Sequence, residues 1–242
     1  MSVKVKFGLW TTQKKDFIME NYYSEKLNSN KLMRCYEVAP DRVKQFLEEE
    51  TGFVLKRIGE NDIVLDLGCG YGRVSTRLIE KAKQVVGIDI SEENIRLAKE
   101  QNNCSRPVDY FVMDASDLKF PNNFFDVTIC IQNGISAFKI DPVQLISEAL
   151  RVTRKNGIVL VSSYSELFWN ERLKWFKVQA DEGLIGEIDN NLTKEGIIVC
   201  KDGFKAVTFT KNDFIELAAS FNVEVKIFEV DNSSVFCEMK KR

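Results

Sequence analysis

One stretch of the sequence places glycines and a carboxylate closely enough to hold a ligand: Val64-Leu65-Asp66-Leu67-Gly68-Cys69-Gly70-Tyr71-Gly72. Glycines at alternate positions allow a tight turn and close approach of a ligand to the main chain. Two ligand classes compete for such a loop. The dinucleotide fingerprint G-x-G-x-x-G needs its third glycine at position 73, where Arg73 stands. Here the third glycine comes one residue early, at Gly72, and Asp66 precedes the first. A pyrophosphate at a helix N-terminus gains from positive potential, and a carboxylate at the strand end does not help it. That carboxylate suits a ligand with an amino group and a sulfonium charge.

Three more groups follow at strand ends. Asp89 closes a second apolar run, 17 residues after Gly72, where a carboxylate can accept both hydroxyls of a ribose. The competing role is a helix-capping acid, for which Ser91 is better placed. Asp114 follows a third run and can accept from an exocyclic adenine amine, with Ala115 offering its backbone N–H; a plain loop acid is the alternative. Gln132-Asn133-Gly134 end the fourth run and face the same crevice, near the reacting group. The chain has no histidine, so acid–base work falls to Asp, Glu, Tyr, Lys or Cys, or to no side chain. Metal-assisted hydrolysis and Ser-His-Asp chemistry are disfavoured on the same ground.

The elements that must position these groups are legible as periodicities. Pro40-Asp41 opens a helix in which Val43, Phe46, Leu47, Val54 and Ile58 recur at helical spacing. Strands are expected at 63–67, 84–89, 108–113, 125–131 and 157–163, with a helix over about 71–82 and another starting at the Ser91 cap. Continuous apolar strands alternating with helices imply a parallel, doubly wound α/β sheet with helices on both faces. A β-hairpin over 197–209, a capping box at Thr210–Asp213, and two final strands at 223–227 and 234–239 complete the pattern. A parallel core ending in an antiparallel strand pair is the expected fold. The organisation is one domain: a helical cap over 1–60, a core over 62–163, an insert over 165–210 covering a pocket, and a terminal helix and strands over 211–242.

Composition narrows the partners. The net charge is −2 with 44% hydrophobic residues, and no basic stripe of the kind nucleic acid needs is visible. The six cysteines form no C-x-x-C pair, and several lie in apolar runs. Buried thiols in a reducing, cytoplasmic setting are expected rather than disulfides or zinc. No signal-peptide core or membrane-spanning run is present.

Together, VLDLGCGYG (64–72), VVGIDIS (85–91), VMDASDL (112–118) and FDVTICI (125–131) resemble the class I S-adenosylmethionine-dependent methyltransferases, most closely the small-molecule type. The resemblance runs from about Asp62 to Ser163, and the terminal helix and strands match the family's usual ending. It implies a Rossmann-like fold and S-adenosylmethionine as cofactor. It also implies roles: Gly68, Gly70 and Gly72 pass under the methionine portion, and Asp66 organises its ammonium. Asp89 binds the ribose, Ile90 packs on adenine, and Asp114 and Ala115 read the adenine edge. Gln132 offers its backbone near the cofactor amine. An aromatic pair followed by Arg34 is similar to the family's cofactor-closing N-terminal helices, so Arg34 is a candidate for the cofactor carboxylate.

The sequence does not name the methyl acceptor. Gln132-Asn133-Gly134-Ile135 stands where an Asn-Pro-Pro-Tyr signature would mark amino methylation of nucleic-acid bases or protein glutamine. A small molecule is therefore expected, in a pocket with Tyr22, Tyr23, Tyr36, Glu37, Asn133, Tyr164 and Trp169 as candidate lining. Core packing is an equally good account of each. The competing functions are an NAD-dependent oxidoreductase on the same fold, a binding protein without catalysis, and arsenite methylation through thiols. Arg73, Asp66 and the antiparallel ending speak against the first.

Overall fold

Strands built from Ile63–Leu67 or Phe125–Cys130 have no polar face, so both sides must be covered. The computed structural model of the chain describes residues 22, 26–27, 29–102, 106 and 108–242. The expectation placed on Tyr23 lies outside the described residues. The first elements are α1 (Ser29–Glu37), α2 (Asp41–Leu55), β1 (Ile63–Leu67), α3 (Ser75–Leu78), β2 (Gln84–Asp89), α4 (Glu92–Glu100) and β3 (Asp109–Val112). Then come β4 (Phe125–Cys130), α5 (Gly134–Ala137), α6 (Pro142–Val152), β5 (Thr153–Tyr164), a 3-10 turn (Glu166–Phe168) and α7 (Trp169–Asp181). The chain finishes with β6 (Ile197–Val199), β7 (Lys205–Val207), α8 (Lys211–Ala218), β8 (Val223–Val230) and β9 (Ser234–Lys241).

The seven-stranded sheet runs β3-β2-β1-β4-β5-β9-β8. The first five are parallel, and β9 is antiparallel to both β5 and β8. Chain order reverses between β1 and β4. Such a switch point leaves a crevice at the strands' carboxyl ends, the usual ligand site of open α/β sheets. Alternate residues serve the two faces. Val64, Val127 and Ile129 pack with Val54, Leu78, Ile79, Ile95 and Ala98 from α2 to α4. Leu65, Leu67, Val159 and Val161 pack with Leu145, Ile146, Phe214 and Leu217 from α6 and α8. β6 and β7 form a separate antiparallel pair.

A third core lies away from the sheet. Val43, Phe46 and Leu47 of α2 meet Tyr164, Phe168, Trp175, Phe176, Ile198 and Phe204. Polar contacts tie its parts together. The Trp175 indole N–H donates to Cys35 O at 2.9 Å, and the Tyr22 hydroxyl to Asp202 Oδ2 at 2.5 Å. Fully buried Arg172 donates to Gly196 O, Ala206 O and Thr208 Oγ1 and lies against the Tyr164 ring. Arg42 clamps Asp231 in the β8–β9 turn, with both nitrogens at 2.6 Å from its oxygens.

Several boundaries differ from expectation. The helix after the glycine loop covers Ser75–Leu78, not 71–82. Gly72 has φ +85° and cannot begin an α-helix, while the Lys83 and Gln84 amides turn away early to Asp62 O. β5 begins at Thr153, four residues upstream of Gly157, because a register irregularity after Phe125 lets Thr153 pair there. α8 closes at Ala218, and Ser220 and Phe221 continue as turns.

Candidate functional site

The glycine loop is held by main-chain bonds before any side chain is considered. Gly68 and Cys69 N–H both donate to Ile88 O at 2.9 Å, pinning the end of β1 to the end of β2. Gly68, Gly70 and Gly72 all have positive φ, a region that side chains with a Cβ rarely enter. Gly72 is the most constrained, because an added Cβ would lie 2.3 Å from the Tyr110 hydroxyl.

Asp89 is the hub of this arrangement. Its Oδ2 accepts from Gly70 N–H at 3.0 Å. Its Oδ1 accepts from Ser91 N–H at 2.8 Å and from Asn94 Nδ2 at 3.2 Å. One carboxylate thus joins the loop, β2 and the start of α4. Burial raises its pKa, and the amide and Asn94 bonds oppose that rise. Ser91 caps α4 through Asn94 N–H, as its spacing implies. The next residue, Ile90, is 45% exposed at the crevice.

Asp66 is buried beneath the loop, and its Oδ2 accepts from Ser75 Oγ at 2.6 Å. Desolvation lifts it to about 6, against the favourable Ser75 bond and the charge of Arg73. Asp114 is exposed and turns back on Ser116 N–H at 2.7 Å, while Ala115 is buried beside it.

At the end of β4, Gln132 and Asn133 are both left-handed, with φ 57° and 61°. Such conformations are costly for residues other than glycine and persist where surrounding bonds enforce them. Gln132 N–H donates to Glu50 Oε2 at 3.0 Å and to Ser162 Oγ at 2.9 Å. Asn133 Oδ1 accepts from Ser163 Oγ at 2.7 Å. Tyr36 donates to Gln132 Oε1 at 3.3 Å.

These bonds bring Asp66, the three glycines, Asp89, Ile90 and Gln132 to one crevice at the switch point. Residues 64–157 match the family model for a methyltransferase domain. Over those residues, which carry the glycine loop, Asp89 and the end of β4, the chain is similar to methyltransferase domains. The chain is 32% identical over 123 residues to the malonyl-[acyl-carrier protein] O-methyltransferase of Yersinia pestis, covering 50% of this chain and 44% of that one. It is 29% identical over 181 residues to the 2-methyl-6-phytyl-1,4-hydroquinone methyltransferase of Synechocystis, covering 71% of this chain and 52% of that one. The chain therefore spans about half the length of these curated relatives. In fold it is similar to the PH0226 protein of Pyrococcus horikoshii, with a TM-score of 0.64 and 23% identity over 93% of this chain and 100% of that one.

Around this crevice the remaining candidates scatter. Arg34 is exposed and paired with Glu37 at 3.3 Å and Glu182 at 3.2 Å. Tyr22 is buried against Asp202 and Phe204. Tyr164 stacks on Phe168 inside the third core. Trp169 borders a cavity of about 200 Å³ shared with Arg172, Glu195 and Thr208, none of them in the glycine loop. Glu50 was not legible as a site residue, although it lies on the buried stripe of α2 between Phe46 and Val54. An acid on an apolar helical stripe is the signal that would have found it. Burial lifts its carboxyl to about 7, against the favourable Ser162 and Gln132 N–H interactions and the charge of Arg73. The described cysteines are all buried, and burial pushes up the thiols of Cys35, Cys200 and Cys237 to about 12. Thiols so raised are poor nucleophiles. Among the described residues there is no metal-ligand cluster, and no helix is long and apolar enough to cross a membrane.

Proposed function

We propose that the chain transfers a methyl group from S-adenosylmethionine to a small-molecule acceptor by in-line displacement. The observation that carries this is Asp89 at the switch point. It is bonded through Gly70 to a loop of three left-handed glycines, with exposed Ile90 beside it. A carboxylate beside an apolar side chain suits a ribose and an adjoining flat base. A backbone path without Cβ atoms suits the narrow chain leading from the ribose to the sulfonium. Asp66, Asp114, Ala115 and Gln132 are assigned with them to the cofactor site.

S-adenosylmethionine supplies the activated methyl group when bound. The chain's residues then have to bind, orient and exclude water, which positioning chemistry requires. The doubly anchored Gln132 turn fixes one wall of the crevice. Burial raises the pKa of Glu50 and Asp66, and both carboxyls hold the geometry as acceptors, Glu50 from Gln132 N–H and Asp66 from Ser75 Oγ. A base is unnecessary for an acceptor that arrives as a nucleophile. The 165–210 insert and the cap are assigned to the acceptor side, with Trp169, which borders a cavity, as the leading candidate.

Calorimetric titration with S-adenosylhomocysteine and with NADH tests the reading. Binding of the first and not of the second is expected. The reverse result would overturn it. Release of S-adenosylhomocysteine across a panel of metabolites then identifies the acceptor.

A further inference from the structure

Three buried polar atoms near the glycine loop have no hydrogen-bond partner: Arg73 Nη2, Gln132 Nε2 and Glu50 Oε1. They are neighbours through one residue, Tyr36. The Arg73 guanidinium lies over the Tyr36 ring at 4.5 Å from its centre. The Tyr36 hydroxyl donates to Gln132 Oε1 at 3.3 Å, and Gln132 N–H donates to Glu50 Oε2 at 3.0 Å. Arg73 acts electrostatically on both Glu50 and Asp66, yet among the described residues it forms an ion pair with neither. An unsatisfied buried group carries a penalty of about 1–3 kcal/mol, and more when charged. Together with the buried, unpaired Ser234 hydroxyl beside Glu50, these groups form an incomplete network.

The missing partner has a definite chemistry. Two donors, one of them a guanidinium, ask for a carboxylate. An unsatisfied carboxylate oxygen beside them asks for a cationic or neutral donor. An α-amino acid presents both within one small group. We infer that Arg73, with the Gln132 amide, binds the carboxylate of the cofactor's amino-acid end, and that Glu50 Oε1 faces its ammonium. This rests on the proposed use of S-adenosylmethionine and replaces Arg34, which is held at the surface by Glu37 and Glu182. Arg73 directly follows Gly72, so the loop that bends under the ligand also delivers the guanidinium to its end.

The test compares two probes that share a thioether-linked nucleoside: S-adenosylhomocysteine, which carries the amino-acid end, and 5′-methylthioadenosine, which lacks it. Calorimetry on the full chain should show Arg73→Gln weakening S-adenosylhomocysteine by tenfold or more while 5′-methylthioadenosine binds as before. The second probe also reports that the variant is folded. Arg73→Lys, which keeps the charge but loses the fork, should fall between. Equal losses for both probes, or none, would overturn the inference and leave a network completed by water. A selective loss in Arg34→Gln with Arg73→Gln unaffected would restore Arg34 and overturn it as well. Failure of the unaltered chain to bind either probe would instead defeat the methyltransferase reading itself.

Discussion

The crevice at the switch point and the aromatic layer between cap and insert are built on opposite plans. In the crevice, main-chain groups and carboxylates do the holding: Gly68, Cys69 and Gly70 are bonded to Ile88 and Asp89, and Gln132 is fixed by Glu50 and Ser162. In the layer, packed rings do it: Phe46 meets Tyr164 and Phe168, and Trp175 meets Tyr36 and Phe176. Close packing is intolerant of lost volume, whereas a polar loop is intolerant of lost partners. The two regions should therefore fail differently when altered.

The largest effect is expected in the layer. Phe46 is 1% exposed, and Phe46→Ala should cost about 3–5 kcal/mol of unfolding free energy, read by denaturant melts. Well below the melting temperature, its affinity for S-adenosylhomocysteine should stay within twofold of the parent's. A variant of normal stability would break the contrast.

A smaller effect is expected where the regions meet, at Glu50. Its carboxyl holds a proton to about pH 7 in the folded chain, against an ordinary value of 4.5. The folded state therefore binds the extra proton between those values. Its contribution is complete below about pH 4.5 and is lost as pH rises through 7, by roughly 3 kcal/mol at most. Asp66 acts in the same direction, from 3.8 to about 6. Glu50→Gln should flatten the fall in melting temperature between pH 5 and 8 and make the variant the more stable form at pH 8. An unchanged slope would show that Glu50 is ionised throughout.

At the crevice hub the smallest effect in free energy is expected on ligand affinity. Asp89→Ala should weaken S-adenosylhomocysteine by several-fold to tenfold, about 1 kcal/mol, and should also lower the melting temperature, because Gly70, Ser91 and Asn94 lose their shared acceptor. Unchanged affinity would remove Asp89 from the site.

The same contrast explains what could be read from the sequence. The five parallel strands were legible because both faces are covered, leaving apolar runs bounded by glycine and acid. The loop was legible because its glycines are required by backbone angles. The aromatic layer was not, because Tyr164 and Trp169 give no periodic sign of whether a ring lines a pocket or fills a core. Tyr164 fills the core. Arg34 and Arg73 illustrate the same limit. Both precede or follow plausible motifs, and only folding shows that one is tied at the surface and the other turned inward.

Helix α2 serves three structures in succession: Phe46 and Leu47 in the aromatic layer, Glu50 at the crevice, and Val54 under the sheet. Each falls about one turn beyond the last. Substitutions along this helix can be absorbed one site at a time. A single inserted residue between Phe46 and Val54 would rotate everything beyond it by about 100° and strip at least two of the three at once. The helix therefore works as a ruler, and in chains of this design its length between those positions should drift far less readily than its composition.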